Sequence, residues 1–154
     1  MKKSLDENVL KSLCTSAVYQ RGELLFHSDA VFNTFRDKEV LKGNCLGKSE
    51  AYYEIEVELE EGQIVDAFCS CPYDWDGYCK HLIALLLAYI HEPMLFIEVD
   101  YIKNQLLEMD REVLVNFLLE SVQNLPYGYE WLQNHIQGTP DHKTVDDSPE
   151  DMVR

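Results

Sequence analysis

The sequence predicts an α+β fold: a small antiparallel sheet or hairpin leading into a ββα-type site, followed by a C-terminal helical extension. Three observations carry this. From Tyr53 to Glu60 the odd positions (Tyr53, Ile55, Val57, Leu59) are apolar and the even ones are all glutamate. One face of that strand is therefore core and the other is water. Glu60-Glu61-Gly62-Gln63 is a turn signal, after which Ile64 to Phe68 returns as the partner strand. Behind the hairpin, Cys79 to Ile90 reads as helix by its length and its Ala/Leu content.

The remaining elements follow in order. Leu5 to Leu13 is expected to be a short helix, with Ser4 and Asp6 as start signals. Ala17 to Phe26 is expected to be a second helix, with Gly22 the one residue in it that weakens the pattern. Val31 to Phe35 and Glu39 to Leu46 read as further strands, and Glu92-Pro93 stops the apolar helix. Two more helical patterns are Tyr101 to Glu108, and Arg111 to Leu125 with Asp110 as N-cap. In the latter, Val113, Phe117, Leu118, Val122 and Leu125 form a stripe. A short helical segment, Tyr129 to Ile136, follows Pro126. The expected organisation is an N-terminal helix (1–14), a metal-binding domain (15–97, core 64–90), a helical extension (98–137) and a disordered acidic tail (138–154) with almost nothing to bury.

The chain has 154 residues, of which 46% are hydrophobic, enough for a genuine core. Its formal charge is −15. That field opposes a general nucleic-acid binder, which needs a basic surface to neutralise phosphates. No apolar stretch follows the N-terminal lysines, so no secretory signal is expected. The longest apolar run, Leu82 to Ile90, is 9 residues, against the ~20 of a membrane span. The expectation is a soluble, cytoplasmic protein without a membrane partner.

Five cysteines, Cys14, Cys45, Cys69, Cys71 and Cys79, make an odd count that argues against a disulfide framework. Three fall together, spaced Cys69-x-Cys71-x7-Cys79-x-His81. A Cys3His set suits one structural, tetrahedral zinc ion. Alternate strand residues share a face, so Cys69 and Cys71 can aim together from the hairpin end. Pro72 suits the point where strand pairing stops. Residues two apart in a helix diverge by roughly 200°, so Cys79 and His81 can converge only at the helix start. There the helix N-terminus favours a Cys79 thiolate. Gly77 lets the loop turn back to the site.

Phe68-Cys-Ser-Cys-Pro and Tyr78-Cys-Lys-His-Leu-Ile-Ala-Leu-Leu-Leu-Ala resemble the SWIM-type zinc finger, C-x-C-x(n)-C-x-H ending in an apolar helix. Tyr19-Gln-Arg-Gly-Glu-Leu-Leu-Phe and the strand from Tyr52 resemble the segment that precedes the finger in prokaryotic members. The resemblance covers about residues 15–95 and implies Cys69, Cys71, Cys79 and His81 as the metal ligands. It implies a non-catalytic role in a larger complex: contact with another protein, such as an ATPase or recombinase, or direct DNA binding in recombination, transposition or remodelling machinery. The −15 charge ranks protein contact above DNA.

The loop aromatics Tyr73, Trp75 and Tyr78 either anchor a partner or cover the metal, and Lys80 lies beside them as a further contact. No catalytic residues are assigned. A zinc hydrolase would need an open coordination position, which four protein ligands do not leave. The row Glu54, Glu56, Glu58, Glu60 and Glu61 reads as a solvated strand face, and Cys14 and Cys45 as core or spare thiols.

Overall fold

The structure, a computed structural model, describes residues 4–48, 51–73 and 76–137. The expected tail, 138–154, lies outside them. The chain divides into two compact units, the first ending at Gln105 and the second beginning at Leu106.

The first unit opens with α1 (Glu7–Ser12), whose N-cap Asp6 accepts the Val9 N–H at 2.9 Å. Next comes α2 (Ser16–His27), capped by Thr15, which accepts from Val18 N–H at 3.2 Å. Four antiparallel strands follow: β1 (Val31–Asp37), β2 (Val40–Leu46), β3 (Tyr52–Glu60) and β4 (Gln63–Cys69). Then come α3 (Lys80–His91), a 3-10 turn (Pro93–Leu95) and β5 (Ile97–Glu98), which pairs parallel to β1. The 3-10 turn is fastened where Thr34 Oγ1 donates to the Leu95 carbonyl at 2.7 Å. Among the described residues the sheet order is β4-β3-β2-β1-β5. Helix α4 (Val99–Leu107) runs across the boundary between the units.

Every residue of α3 from His81 to Ala88 is buried. A helix that is apolar all round needs cover all round. It touches β1, β2, β3 and β4 as well as α1 and α2. On the sheet side it meets Ile55, Val57 and Leu59, the odd positions of β3, all buried. On the helix side α2 comes so near that a Cβ at Gly22 would lie 2.6 Å from Ile83 Cγ2. Gly22 therefore serves close helix packing rather than marking a break in α2.

The β3–β4 hairpin closes through Glu61 and Gly62, both left-handed at φ 50° and 78°, the geometry that a two-residue type I′ turn needs. The register then slips by one. Leu59 faces Ile64 but Glu58 faces Asp66, leaving Val65 as an extra residue in β4. Beyond this bulge Val57 faces Ala67 and Ile55 faces Cys69. Phe68 is turned outward and exposed.

In the second unit, α5 (Arg111–Asn124) contacts α6 (Gly128–Gln137). Asp110 holds the N-cap position of α5 as expected, but its side chain makes no capping hydrogen bond.

Candidate metal centre

Cys69 ends β4, Cys71 lies in the turn just after it, Cys79 is the N-cap of α3 and His81 sits in its first turn. The bulge at Val65 gives Cys69 the same face as Ile55, whose neighbours α3 covers, so strand and helix start bring their donors together. One donor atom from each of the four residues lies within 4.8 Å of all the others. Cys69 Sγ and His81 Nδ1 are 3.9 Å apart. With bonds of ~2.3 Å to sulfur and ~2.0–2.1 Å to nitrogen, the edges of a tetrahedral zinc site measure about 3.6–3.8 Å. Among the described residues this is the one such group of His, Cys, Asp or Glu donors.

Backbone groups complete the shell. The N–H groups of Cys71, Tyr73 and Leu82 point at the sulfurs of Cys69, Cys71 and Cys79, the last at 3.5 Å. Each such donor favours a thiolate. Charge settles first on Cys79. The Cys69 thiol beside it, with His81 and the Leu82 N–H, lowers Cys79 against the opposing effect of burial. Cys69 is held well up, because its proton is shared with Cys79 and it is partly desolvated, and burial raises Cys71. A metal binds thiolates, so a cation taken up here would release protons from these cysteines. Three thiolates and a neutral imidazole around a divalent ion leave a net charge of about −1. The donor set fits zinc.

His81 is buried and lies beside the Tyr53 ring, centroid to centroid 4.7 Å. Its Nε2 has no hydrogen-bond partner among the described residues. Packing and the thiol cluster hold this ring. The loop from Cys71 to Cys79 is fastened from below, where Tyr78 N–H donates to the Leu13 carbonyl at 2.9 Å. That closure requires Gly77: its φ is 86°, and a Cβ there would lie 2.5 Å from the Leu13 oxygen.

Residues 53–90 match the family model of the SWIM zinc finger. This chain carries a SWIM zinc finger. The match takes in the hairpin, all four clustered donors and nearly all of α3, and the Cys3His group in it fits a single structural zinc ion. No curated protein and no solved structure matches the chain. SWIM fingers are binding modules for protein or nucleic acid.

Around the finger, Tyr73 and Tyr78 are half-buried against the core, and Lys80 is half-buried at the start of α3. Trp75 lies outside the described residues. Cys45 is fully buried one strand away, and desolvation raises its thiol to about 11, whereas Cys14 is half-buried against the Leu10 carbonyl. Neither joins the cluster. Lys42 is paired with Glu56 at 3.7 Å across the sheet. Among the described residues no helix is long and apolar enough to cross a membrane.

The bulge at Val65 and the N–H donors to sulfur were not legible as site features in the sequence. Strand alternation alone would put Ile64, Asp66 and Phe68 on one face, and only the pairing register reveals the shift.

Proposed function

We propose that the chain is a non-catalytic binding module that contacts another protein within a larger complex. In this reading Cys69, Cys71, Cys79 and His81 ligate one structural zinc ion. The observation that carries it is the four-donor cluster itself: four protein ligands fill a tetrahedral shell, so zinc is left no open position for a substrate water. The zinc then serves to fix the loop of residues 72–78 and the first turn of α3.

The proposed contact is that loop, with Tyr73, Trp75, Tyr78 and Lys80. Tyr73 and Tyr78 are rooted in the core and so lose little freedom on binding. Protein is favoured over nucleic acid by the −15 charge and by Asp74 and Asp76 in the same loop. Fluorescence anisotropy with single- and double-stranded DNA is the test. At about 150 mM salt the zinc-loaded protein is expected to show no submicromolar binding. Submicromolar affinity that is abolished by Lys80→Glu would assign the finger to nucleic acid instead.

A further inference from the structure

His81 turns one ring nitrogen to the sulfur cluster, and Tyr53 lies against the same ring. Its Nδ1 is 3.9 Å from Cys69 Sγ, whereas its buried Nε2 makes no hydrogen bond to any of the cluster sulfurs. An imidazole that gives Nδ1 to a metal carries its proton on Nε2. Ring orientation then decides whether the ligand exists at all. A half-turn about the Cβ–Cγ bond exchanges Nδ1 for the carbon Cδ2, which cannot ligate. Tyr53 stands where it hinders that turn. It lies two residues from Ile55 on the inner face of β3, and Ile55 faces Cys69. The two rings are 4.7 Å apart and tilted by 48°, at the close end of aromatic packing. Tyr53 is itself braced by Gly47, where a Cβ would collide with Cε2 of the tyrosine ring. The Gly47 N–H donates to the Ala51 carbonyl at 2.7 Å, which fixes this brace where β2 gives way to β3.

We propose that Tyr53 is the positioning residue for His81: braced on Gly47, its ring holds the imidazole so that Nδ1, rather than Nε2, is the ligating nitrogen. The proposal rests on the reading of His81 as a zinc ligand and adds a residue outside the four donors. Groups behind a metal-bound histidine set its orientation, and their loss typically costs about 10–100-fold in metal binding. Tyr53 acts by shape. It is therefore the ring, and not the phenolic hydroxyl, that the site uses.

Nitrogen-15 NMR of the histidine rings in the full zinc-loaded chain is the first test. His81 is expected to show a metal-bound Nδ1 and a protonated Nε2. Ligation through Nε2 would overturn the proposal and leave the four-donor reading intact. A chain without stoichiometric zinc would overturn that reading, and the proposal with it. The second test is the rate of zinc transfer to a chromogenic chelator. Tyr53→Leu keeps an apolar side chain in β3 but removes the ring, and zinc should leave about ten times faster. Exchange protection of residues 80–90 should persist in the zinc-loaded variant, which separates lost orientation from lost fold. Tyr53→Phe should restore the wild-type rate and ring signals. Gly47→Ala, which displaces the Tyr53 ring, should speed release from the wild-type chain but add nothing to Tyr53→Leu, because both act through one contact. Release from Tyr53→Leu at the wild-type rate would overturn the proposal. So would a Tyr53→Phe chain that loses zinc as fast as Tyr53→Leu, or a Gly47→Ala effect that is the same with and without the ring.

Discussion

Helices α3 and α5 are both apolar around most of their circumference, yet α3 is sealed from His81 to Ala88 and α5 has no buried residue. The difference lies in their neighbours. α3 has a sheet against it and two further helices, α1 and α2. Within its own unit α5 has α6. An apolar pattern therefore states how much cover a helix needs without stating where the cover comes from. For α3 it comes from the same chain and ends at the four-donor cluster.

Metal removal should break the comparison most forcefully. Apparent zinc binding in finger peptides is worth about 10–16 kcal/mol, comparable with the ~5–15 kcal/mol total stability of a domain. Chelation, or Cys79→Ser, is expected to strip exchange protection from β4 and the first turns of α3 while sparing α5 and α6. Hydrogen exchange read by mass spectrometry checks this, and unchanged protection of residues 64–90 would make the zinc dispensable.

A smaller effect sharpens the contrast in packing. Leu85→Ala in α3 removes a fully buried side chain and should cost about 2–5 kcal/mol. Leu118→Ala in α5, where the residue is 44% exposed, should cost no more than about 1 kcal/mol. Urea melts of the two variants give both values, and equal losses would mean that α5 is covered after all.

The smallest effect tests the helix side of α3. Gly22→Ala would gain about 0.5–1 kcal/mol of helix propensity, but its methyl would meet Ile83. Overpacking costs about 1–3 kcal/mol, so a net loss of about 1–2 kcal/mol is expected. A stabilised variant would show that α2 can retreat from α3 at no cost.

Much of this arrangement was legible in the sequence because single-residue chemistry dictates it. Glutamate at every second position fixes the faces of β3, and the pair Glu61-Gly62 fixes the hairpin turn. The Cys-x-Cys and Cys-x-His spacings place donors at a strand end and a helix start, where the structure brings them together. What escaped the sequence depends on tertiary context. β5 is two residues long and exists only because β1 offers it an edge. Gly22 only weakens the helical pattern of α2 in the sequence, and its use is plain once Ile83 is seen against it. Thr15 caps α2, and Ser16 beside it has the same capping chemistry, so residue type alone does not choose between them.

The extra residue in β4 turns the distance from hairpin turn to first thiol into a question of parity. In an unbroken ladder continued from Glu60↔Gln63, Ile55 would face Phe68, and the sulfur of Cys69 would point to water. One inserted residue exchanges the two: aromatic out, thiol in. The finger therefore depends on an odd or even count between its turn and its first cysteine that agrees with the number of bulges: one residue more in β4 without a second bulge would turn the thiol to water.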